Sequence, residues 1–451
     1  MKKILLAMGT VALSFLVGMT TASAQEDLLT MTQKAGYPAT EAMTPKASIV
    51  LNAENGQVLW AENEDVIRDP ASTTKTMVVY LTFEAIAAGK INMDTQVVAT
   101  ENDQAIAGIY ALSNNKIVAG ETYTVRELLT MTLVPSSNVT TLMLAHLIHD
   151  GDDASFLDLM NQTAKDLGMT NTHFNNASGA VVVAFNGYYA PVGYDHNLPN
   201  DTTAKDLAIL AYHLLKKHPD VLEFTKDPKV TVKAGTPLEE TFEAYNYSLP
   251  GLDYGYEGVD GLKTGSSPSA AFNAIVTAKR NDTRLITVVM GVGDWSDQNG
   301  EYYRHYFINT LLDKTFADYK RQILAPAGQQ EIDGKKIILK ENLYGLAKVG
   351  ELPQLTLNGQ MVQVAGSVDA AAGVAFREAA VNKEEASAVT GTKDKSTKEN
   401  KLLSLPVIAG LSMAGVLVLF LATILYFRNK AQKRRRLARS QSQGYSRRHR
   451  R

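Results

Sequence analysis

Ser72 and Lys75 form the first pair in the sequence whose side chains are suited to covalent chemistry. A serine hydroxyl becomes a nucleophile when a base takes its proton, and a lysine is such a base only when burial or a nearby cation lowers its pKa. Asp69 suits the N-cap of a helix and Pro70 its first position. Ser72 is therefore predicted in a first helical turn, with Lys75 on the same face and an apolar helix behind it.

Ser113 and Lys116 repeat the Ser-x-x-Lys spacing. This second pair lies in a polar, turn-like stretch that no apolar helix follows. We interpret it as a surface loop and expect Ser72 to be the nucleophile.

The sequence Ser136-Ser137-Asn138 separates two predicted helices. On a tight loop, the Ser136 hydroxyl and the Asn138 carboxamide can face one cleft. The hydroxyl would pass a proton to a leaving amine, and the amide would bind a substrate peptide group. The same residues are good N-cap chemistry, and the sequence leaves both interpretations open.

Lys263-Thr264-Gly265 is followed by Ser266. Successive side chains of a strand point to opposite faces, but an edge strand beside a cleft can present both Lys263 and Thr264. The ammonium and the hydroxyl suit a carboxylate, and Gly265 permits a close backbone approach. Taken alone, the tripeptide is equally well a strand end.

These motifs need a scaffold, and residues 45–320 are predicted to form a mixed α/β domain. Ala47–Leu51 and Gln57–Trp60 flank Asn55-Gly56, which predicts a hairpin. Further elements are predicted as helices over 76–88, 125–133, 138–149 and 203–217 and as core strands over 271–278 and 284–292. The order predicts an antiparallel sheet covered by helices.

Residues 323–381 are predicted to form a small all-β domain, because short β-like runs alternate with Gly-bearing turns such as Asp333-Gly334. Residues 382–401 contain many charges and few apolar side chains. That composition is typical of a solvated linker.

Both ends of the chain predict targeting to a membrane. Residues 1–24 have a basic start, an apolar stretch and Ala22-Ser23-Ala24, as in a signal peptide, which leaves 25–44 as an N-terminal segment. Residues 402–427 carry no charge and are long enough to cross a bilayer as one transmembrane helix. Residues 428–451 hold eleven Lys and Arg, which predicts a cytoplasmic tail. A sortase signal is the alternative, but Leu405–Ala409 lacks its Thr-Gly.

Composition excludes several classes of protein. The chain has 45 basic and 47 acidic residues, and because the tail holds so many of the bases, the exported part is strongly acidic. This argues against nucleic acid or another anionic polymer as a partner. Cysteine is absent, so a hydrophobic core must hold the exported part together. His146 and His149 are explained by a helix end rather than by a metal.

The three motifs in this order resemble the penicillin-binding protein and serine β-lactamase superfamily. Within it, residues 40 to about 380 are most similar to low-molecular-weight D-alanyl-D-alanine carboxypeptidases of the Gram-positive type. Leu167–Phe174 and Gly258–Gly265 add to the likeness. The resemblance implies a β-lactamase/transpeptidase-like fold, with residues 45–320 as a serine DD-peptidase domain outside the cell membrane.

The resemblance also implies a role for each motif residue on a peptidoglycan stem peptide, without metal or cofactor. Ser72 attacks the penultimate D-alanine carbonyl, Lys75 deprotonates it, and Ser136 relays a proton to the departing D-alanine. The substrate-binding residues are Asn138, Lys263, Thr264, Gly265 and Ser266. Asn138 orients the peptide, Lys263 supports Lys75, and Thr264 engages the terminal carboxylate. The backbone N–H of Ser266 joins that of Ser72 in an oxyanion hole. β-Lactam antibiotics would acylate Ser72.

Two other functions compete with this interpretation. A class A serine β-lactamase uses a glutamate between the second and third motifs to activate water, and no Glu occurs between Glu127 and Glu223. A membrane-tethered β-lactam sensor or wall-binding protein would need a cytoplasmic domain longer than this tail. The sequence leaves open the transpeptidase share of activity, the third stem-peptide residue and the oligomeric state.

Overall fold

The computed structural model describes residues 26–149, 152–369 and 372–378. Within these ranges the α-helices are α1 (Leu28–Lys34), α2 (Lys75–Ala87), α3 (Glu101–Ala107), α4 (Val125–Leu133), α5 (Asn138–Ile148), α6 (Asp153–Asp166), α7 (Ala204–Lys217) and α8 (Gly300–Asp318). Short 3₁₀ helices cover Glu41–Met43, Ala71–Thr74, Val182–Phe185 and Pro219–Phe224.

The strands fall into a large group before α8 and a smaller group after it. The first group is β1 (Ala47–Asn52), β2 (Val58–Glu62), β3 (Gln96–Val98), β4 (Thr122–Thr124), β5 (Lys229–Val232), β6 (Glu240–Glu243), β7 (Val259–Ser267), β8 (Ala271–Arg280) and β9 (Thr283–Val292). The second is β10 (Tyr319–Ala325), β11 (Gly328–Ile332), β12 (Lys335–Leu339), β13 (Leu343–Lys348), β14 (Leu355–Asn358), β15 (Met361–Val364) and β16 (Val374–Glu378).

A five-stranded antiparallel sheet forms the centre of the molecule, in the order β2-β1-β9-β8-β7. The predicted hairpin of β1 and β2 is confirmed, and Gly56 in its turn has a φ of +70°. The predicted core strands are β8 and β9, which pair along most of their length. β7 lies at an edge of the sheet, and Thr264, Gly265 and Ser266 on this strand line a cleft.

Both faces of this sheet are covered, which explains why its inner strands β1, β8 and β9 are mostly apolar. Ile49 and Leu51 pack on one side with α2, α4, α5 and α7. Val50 points the other way and packs with α1 and α8. The alternation follows from the two-residue period of a strand. The predicted mixed α/β fold with a helix-covered antiparallel sheet is thus confirmed.

The strands after α8 form a small β structure with its own core. β10 pairs with β13, and the remaining strands make a sheet in the order β11-β12-β16-β15-β14. Ile337, Leu339 and Val362 are buried between them. The change from helix to strand falls between Asp318 and Tyr319, slightly before the predicted start at residue 323.

Several predicted segments lie outside the described residues, namely 1–24, 382–401, 402–427 and 428–451. The predicted N-terminal segment contains α1 and the short helix Glu41–Met43. No helix in the described part of the chain is long and apolar enough to cross a membrane.

Candidate active site

Ser72 lies in the 3₁₀ turn Ala71–Thr74, and α2 begins only at Lys75. The prediction that Asp69 caps this helix was wrong. The residue before the turn is Pro70, and Asp69 instead accepts a hydrogen bond from the Ala71 N–H at 2.7 Å. The other Asp69 oxygen accepts from the Ser267 hydroxyl at 2.7 Å. Asp69 therefore ties the turn that carries Ser72 to the end of β7.

Lys75 is fully buried, and its Nζ has three oxygen neighbours within the described residues. They are Ser72 Oγ at 2.9 Å, Asn138 Oδ1 at 2.8 Å and the Ser178 carbonyl at 2.7 Å. The last two can only accept hydrogen bonds. A neutral amine with two N–H groups would donate to both and leave its lone pair for the Ser72 O–H.

The environment of Lys75 favours that neutral form. Burial and the positive charge of Lys263 together hold the pKa of Lys75 well below its ordinary value, because both disfavour an ammonium. The lysine in the first motif thus meets the requirement for a general base: it is close to the hydroxyl, and its proton is weakly held.

The orientation of Asn138 depends on the Ser113 loop. The Ser113 carbonyl accepts from the Asn138 backbone N–H at 2.8 Å and from Asn138 Nδ2 at 3.0 Å, so Oδ1 must face Lys75. Asn114 Oδ1 also accepts from the Val139 N–H at 3.0 Å. Residues 113–116 form a loop in which Ser113 and Lys116 are exposed, as predicted. The loop also supports the second motif, and Ser113 lines the cleft.

Ser136 and Ser137 divide the two roles that the sequence left open. Ser137 is the N-cap of α5 and accepts from the Thr140 N–H. Ser136 has a φ of +62°, a strained conformation for a residue with a side chain. It points to Lys263, whose Nζ donates to Ser136 Oγ at 2.9 Å. Capping and a cleft-facing hydroxyl coexist on adjacent residues.

Lys263 is almost completely buried, and its Nζ also donates to the Thr264 carbonyl at 2.8 Å. Burial and the nearby charge of Arg304 lower the pKa of Lys263 to about 7. The site therefore holds two buried lysines, and the charge of Lys263 makes the loss of a proton from Lys75 easier.

Gly265 allows the edge strand β7 to approach the turn that carries Ser72. A methyl group at Gly265 would lie 2.7 Å from the Thr73 nitrogen and 2.9 Å from the Ser72 nitrogen, too close for any side chain. Ser72, Thr264 and Ser266 consequently border one open cleft with a volume of about 520 Å³.

The far wall of this cleft comes from α8 and the loop before it. Trp295, Glu301 and Tyr302 line the cleft there, together with Tyr245 and Tyr247. Trp295 stacks on Phe272 with ring centroids 5.7 Å apart. No group of acidic, His or Cys side chains in the described ranges is arranged to hold a metal ion.

Comparison with known proteins decides the family of this site. Residues 31–294, which contain all three motifs, match the family described as D-alanyl-D-alanine carboxypeptidase, peptidase S11. The chain belongs to this carboxypeptidase family. Residues 320–371 match a domain of unknown function.

Individual carboxypeptidases are similar over much of their length. D-alanyl-D-alanine carboxypeptidase DacF of Bacillus subtilis is 29% identical over 315 residues, which cover 70% of this chain and 73% of that protein. DacC of Escherichia coli is 30% identical, with 62% of this chain and 64% of that protein covered. The matched part therefore spans just under two thirds of the second relative.

Solved structures share the fold. A peptidoglycan synthesis regulatory factor from Streptococcus pneumoniae has a TM-score of 0.61 and 27% identity, covering 71% of this chain and 91% of that one. Penicillin binding protein 5 from Haemophilus influenzae has a TM-score of 0.58 at 22% identity, covering 75% and 97%. The prediction of a serine-type D-alanyl-D-alanine carboxypeptidase is confirmed over a serine β-lactamase.

Some groups in this carboxypeptidase site lie outside the three sequence motifs and were not predicted. The Ser178 carbonyl is one, and a polar network fixes it: Asn176 Oδ1 accepts from the Ser178 N–H at 3.2 Å and the Gly179 N–H at 2.6 Å, and Asn200 Nδ2 donates to the Asn176 carbonyl at 3.0 Å. The turn-forming run from Asn175 to Gly179 was the available signal. Glu301 had none, since acidic residues are common in the first turn of a helix.

Proposed function

We propose that this chain removes the terminal D-alanine from peptidoglycan stem peptides through an acyl-enzyme on Ser72. The observation that carries the proposal is the buried lysine pair. Lys75 lies 2.9 Å from Ser72 Oγ, and Lys263 lies 2.9 Å from Ser136 Oγ, with both hydroxyls facing one cleft.

In the acylation step, the Lys75 lone pair takes the proton of Ser72 while Ser72 Oγ attacks the carbonyl of the penultimate D-alanine. The charge that develops on the carbonyl oxygen would be stabilised by the backbone N–H groups of Ser72 and Ser266. The C–N bond then breaks, and Ser136 passes a proton to the departing amine. Lys263, as an ammonium beside Ser136, supplies that hydroxyl with a replacement proton.

The remaining motif residues would hold the peptide. Asn138 Nδ2 donates a hydrogen bond to the Ser113 carbonyl, so the orientation of this side chain is fixed before substrate binds. The Thr264 hydroxyl lines the cleft beside the Lys263 charge, a combination suited to the terminal carboxylate. Gly265 keeps the strand edge close to Ser72.

The acyl-enzyme is then released by water or by an amine acceptor. A β-lactam would acylate Ser72 in the same way, but its leaving group stays attached and obstructs water. Glu301 lines the cleft, yet its carboxylate is committed to Ser266 and Arg304. A lost general base costs about 10²–10⁴ in rate, so we expect a long-lived penicillin adduct.

We further propose that the enzyme works at the outer face of the cell membrane as a single-pass protein. A signal peptide over 1–24, an uncharged segment over 402–427 and a basic tail over 428–451 support this placement. The peptidase domain at 45–320, the β domain at 323–381 and the linker at 382–401 would then stand outside the cell.

The direct test uses a stem pentapeptide ending in D-alanyl-D-alanine and mass analysis of the products. We expect a tetrapeptide and free D-alanine from the unaltered chain, and neither from the Ser72→Ala variant. Cleavage at another bond, or equal cleavage by the variant, would contradict the proposal. The amount of product joined to an added amine acceptor would give the fraction of turnover that proceeds by transpeptidation.

A further inference from the structure

Glu301 is a carboxylate in the cleft wall that the proposed reaction does not use. It lies in the first turn of α8, and 26% of its side chain is exposed. One oxygen accepts from Ser266 Oγ at 2.6 Å, and the other pairs with Arg304. It therefore contacts both the end of the third motif and a buried cation.

In the described part of the chain, Arg304 is completely buried, so its charge is shielded from solvent. Besides Glu301, its Nη1 donates to Ser266 Oγ and to the Asn273 carbonyl, both at 3.2 Å, and its Nη2 donates to the Tyr245 carbonyl at 3.2 Å. Glu301 is the only carboxylate among these partners. A buried cation without a counter-charge is very costly, which gives Glu301 an electrostatic task.

The charge balance extends from Arg304 to the lysine pair. After burial, Arg304 is the main cause that lowers the pKa of Lys263, and Glu301 acts in the opposite direction. Lys263 in turn lowers the pKa of Lys75. Two lysines, one arginine and one carboxylate thus form an electrostatically coupled cluster behind the cleft. The titratable and charged side chains that face it are Lys75 from α2, Glu301, Arg304 and His305 from α8, and Tyr245 and Tyr247 from the segment before β7.

We propose that Glu301 is a positioning residue of the acylation step, which fixes Ser266 and offsets the charge that Arg304 places beside Lys263. The inference rests on the proposed acyl-enzyme function and adds a residue outside the three motifs. Of the other facing groups, His305 is kept neutral because burial and Arg304 hold its pKa well below the ordinary value. Glu301 is therefore the negative charge in this set that can balance Arg304.

Without the Glu301 charge, nothing opposes Arg304, and the pKa of Lys263 falls further below about 7. Lys263 then loses its proton at a lower pH and no longer replenishes Ser136. The alkaline limb of the acylation profile should move toward acid, on the order of one pH unit for the loss of one nearby charge.

The experiment is the pH profile of the acylation rate constant with a fluorescent penicillin, measured on the unaltered chain and on Glu301→Gln. We expect the Gln variant to lose rate mainly on the alkaline side. Glu301→Ala should show the same shift, because the cause is charge. Glu301→Asp should keep the alkaline limb in place, even if its shorter side chain lowers the rate at every pH.

Asp297→Asn is the matched control, because it removes one negative charge from the loop just before α8, and the Asp297 carboxylate bonds Asn299 and Tyr303 rather than Ser266 or Arg304. Its profile should follow that of the unaltered chain. A Gln profile that is merely scaled down at all pH values, or that shifts toward alkali, would overturn the inference while leaving the proposed function intact. Failure of the unaltered chain to form any adduct would overturn both.

Discussion

Lys75 is suited to be a base because two of its hydrogen-bond neighbours can accept but cannot donate a proton. The Ser178 carbonyl and Asn138 Oδ1 offer no proton, so both N–H bonds of a neutral amine have fixed directions. The remaining lone pair is left for Ser72. Neither acceptor would provide this geometry if it were free to turn, and Asn138 is held by the Ser113 carbonyl.

Lys75→Arg tests the requirement for a neutral amine. A guanidinium stays protonated in proteins, so Arg at this position cannot take the Ser72 proton. We expect the acylation rate constant with a fluorescent penicillin to fall by about 10²–10⁴. Lys116→Arg, in the exposed second copy of the Ser-x-x-Lys spacing, should keep the original rate. An equal rate in Lys75→Arg would show that another group is the base.

Among the structural elements, the site is assembled by close backbone contact around the turn Ala71–Thr74, which carries Ser72. Gly265 brings β7 against this turn from one side, and Gly179 brings the Ser178 loop against it from another. At Gly179, with a φ of +91°, an added methyl group would lie 1.9 Å from the Ala71 carbonyl oxygen and 2.8 Å from the Ser72 nitrogen. Both positions require glycine because a side chain would collide with the backbone of this turn.

Gly179→Ala can be compared with Gly168→Ala, because Gly168 has a φ of +85° and nothing within 4 Å of an added methyl group. The control should cost only the backbone strain, about 1 kcal/mol. The clash at Gly179 should add about 1–3 kcal/mol to the loss of unfolding free energy and slow acylation by displacing Ser72. Chemical denaturation measures the first and penicillin labelling the second. Equal behaviour of the two variants would contradict the packing account.

How much of the site could be predicted from the sequence depended on how far apart the contacting residues lie along the chain. Ser72 and Lys75 are three residues apart, so helical spacing alone brings them together. The contact of Lys75 with Ser178 spans 103 residues and uses a backbone carbonyl, which every residue possesses. The contact of Ser266 with Glu301 spans 35 residues. The hairpin, helices and core strands followed from local patterns, whereas these partners required the three-dimensional packing.

At the scale of the whole molecule, the β structure after α8 is attached to the β1–β2 hairpin, away from the cleft. Gln57 is buried, and its side chain bonds both backbone groups of Leu346, with Nε2 to the carbonyl at 2.7 Å and Oε1 to the N–H at 3.1 Å. Arg321 pairs with Glu54 at 2.7 Å nearby. None of these residues lines the cleft, so we expect the β structure to support stability rather than chemistry.

Gln57→Ala should lower the unfolding free energy by about 1–3 kcal/mol, because it leaves two buried backbone groups without partners. The acylation rate per folded active site should stay unchanged. Gln162→Ala is the control, since that exposed side chain bonds Asp166 on its own helix, and it should change stability by less than about 0.5 kcal/mol. A slower acylation in folded Gln57→Ala would show that the β structure contributes to the reaction.

Locating the covalent adduct tests whether Ser72 is the nucleophile of this carboxypeptidase. The unaltered chain, Ser72→Ala and Ser113→Ala would each be mixed with penicillin, weighed intact and digested for mass mapping. We predict one adduct on the peptide that contains Ser72, its retention in Ser113→Ala and its loss in Ser72→Ala. An adduct on another residue, or one that persists in Ser72→Ala, would contradict the mechanism.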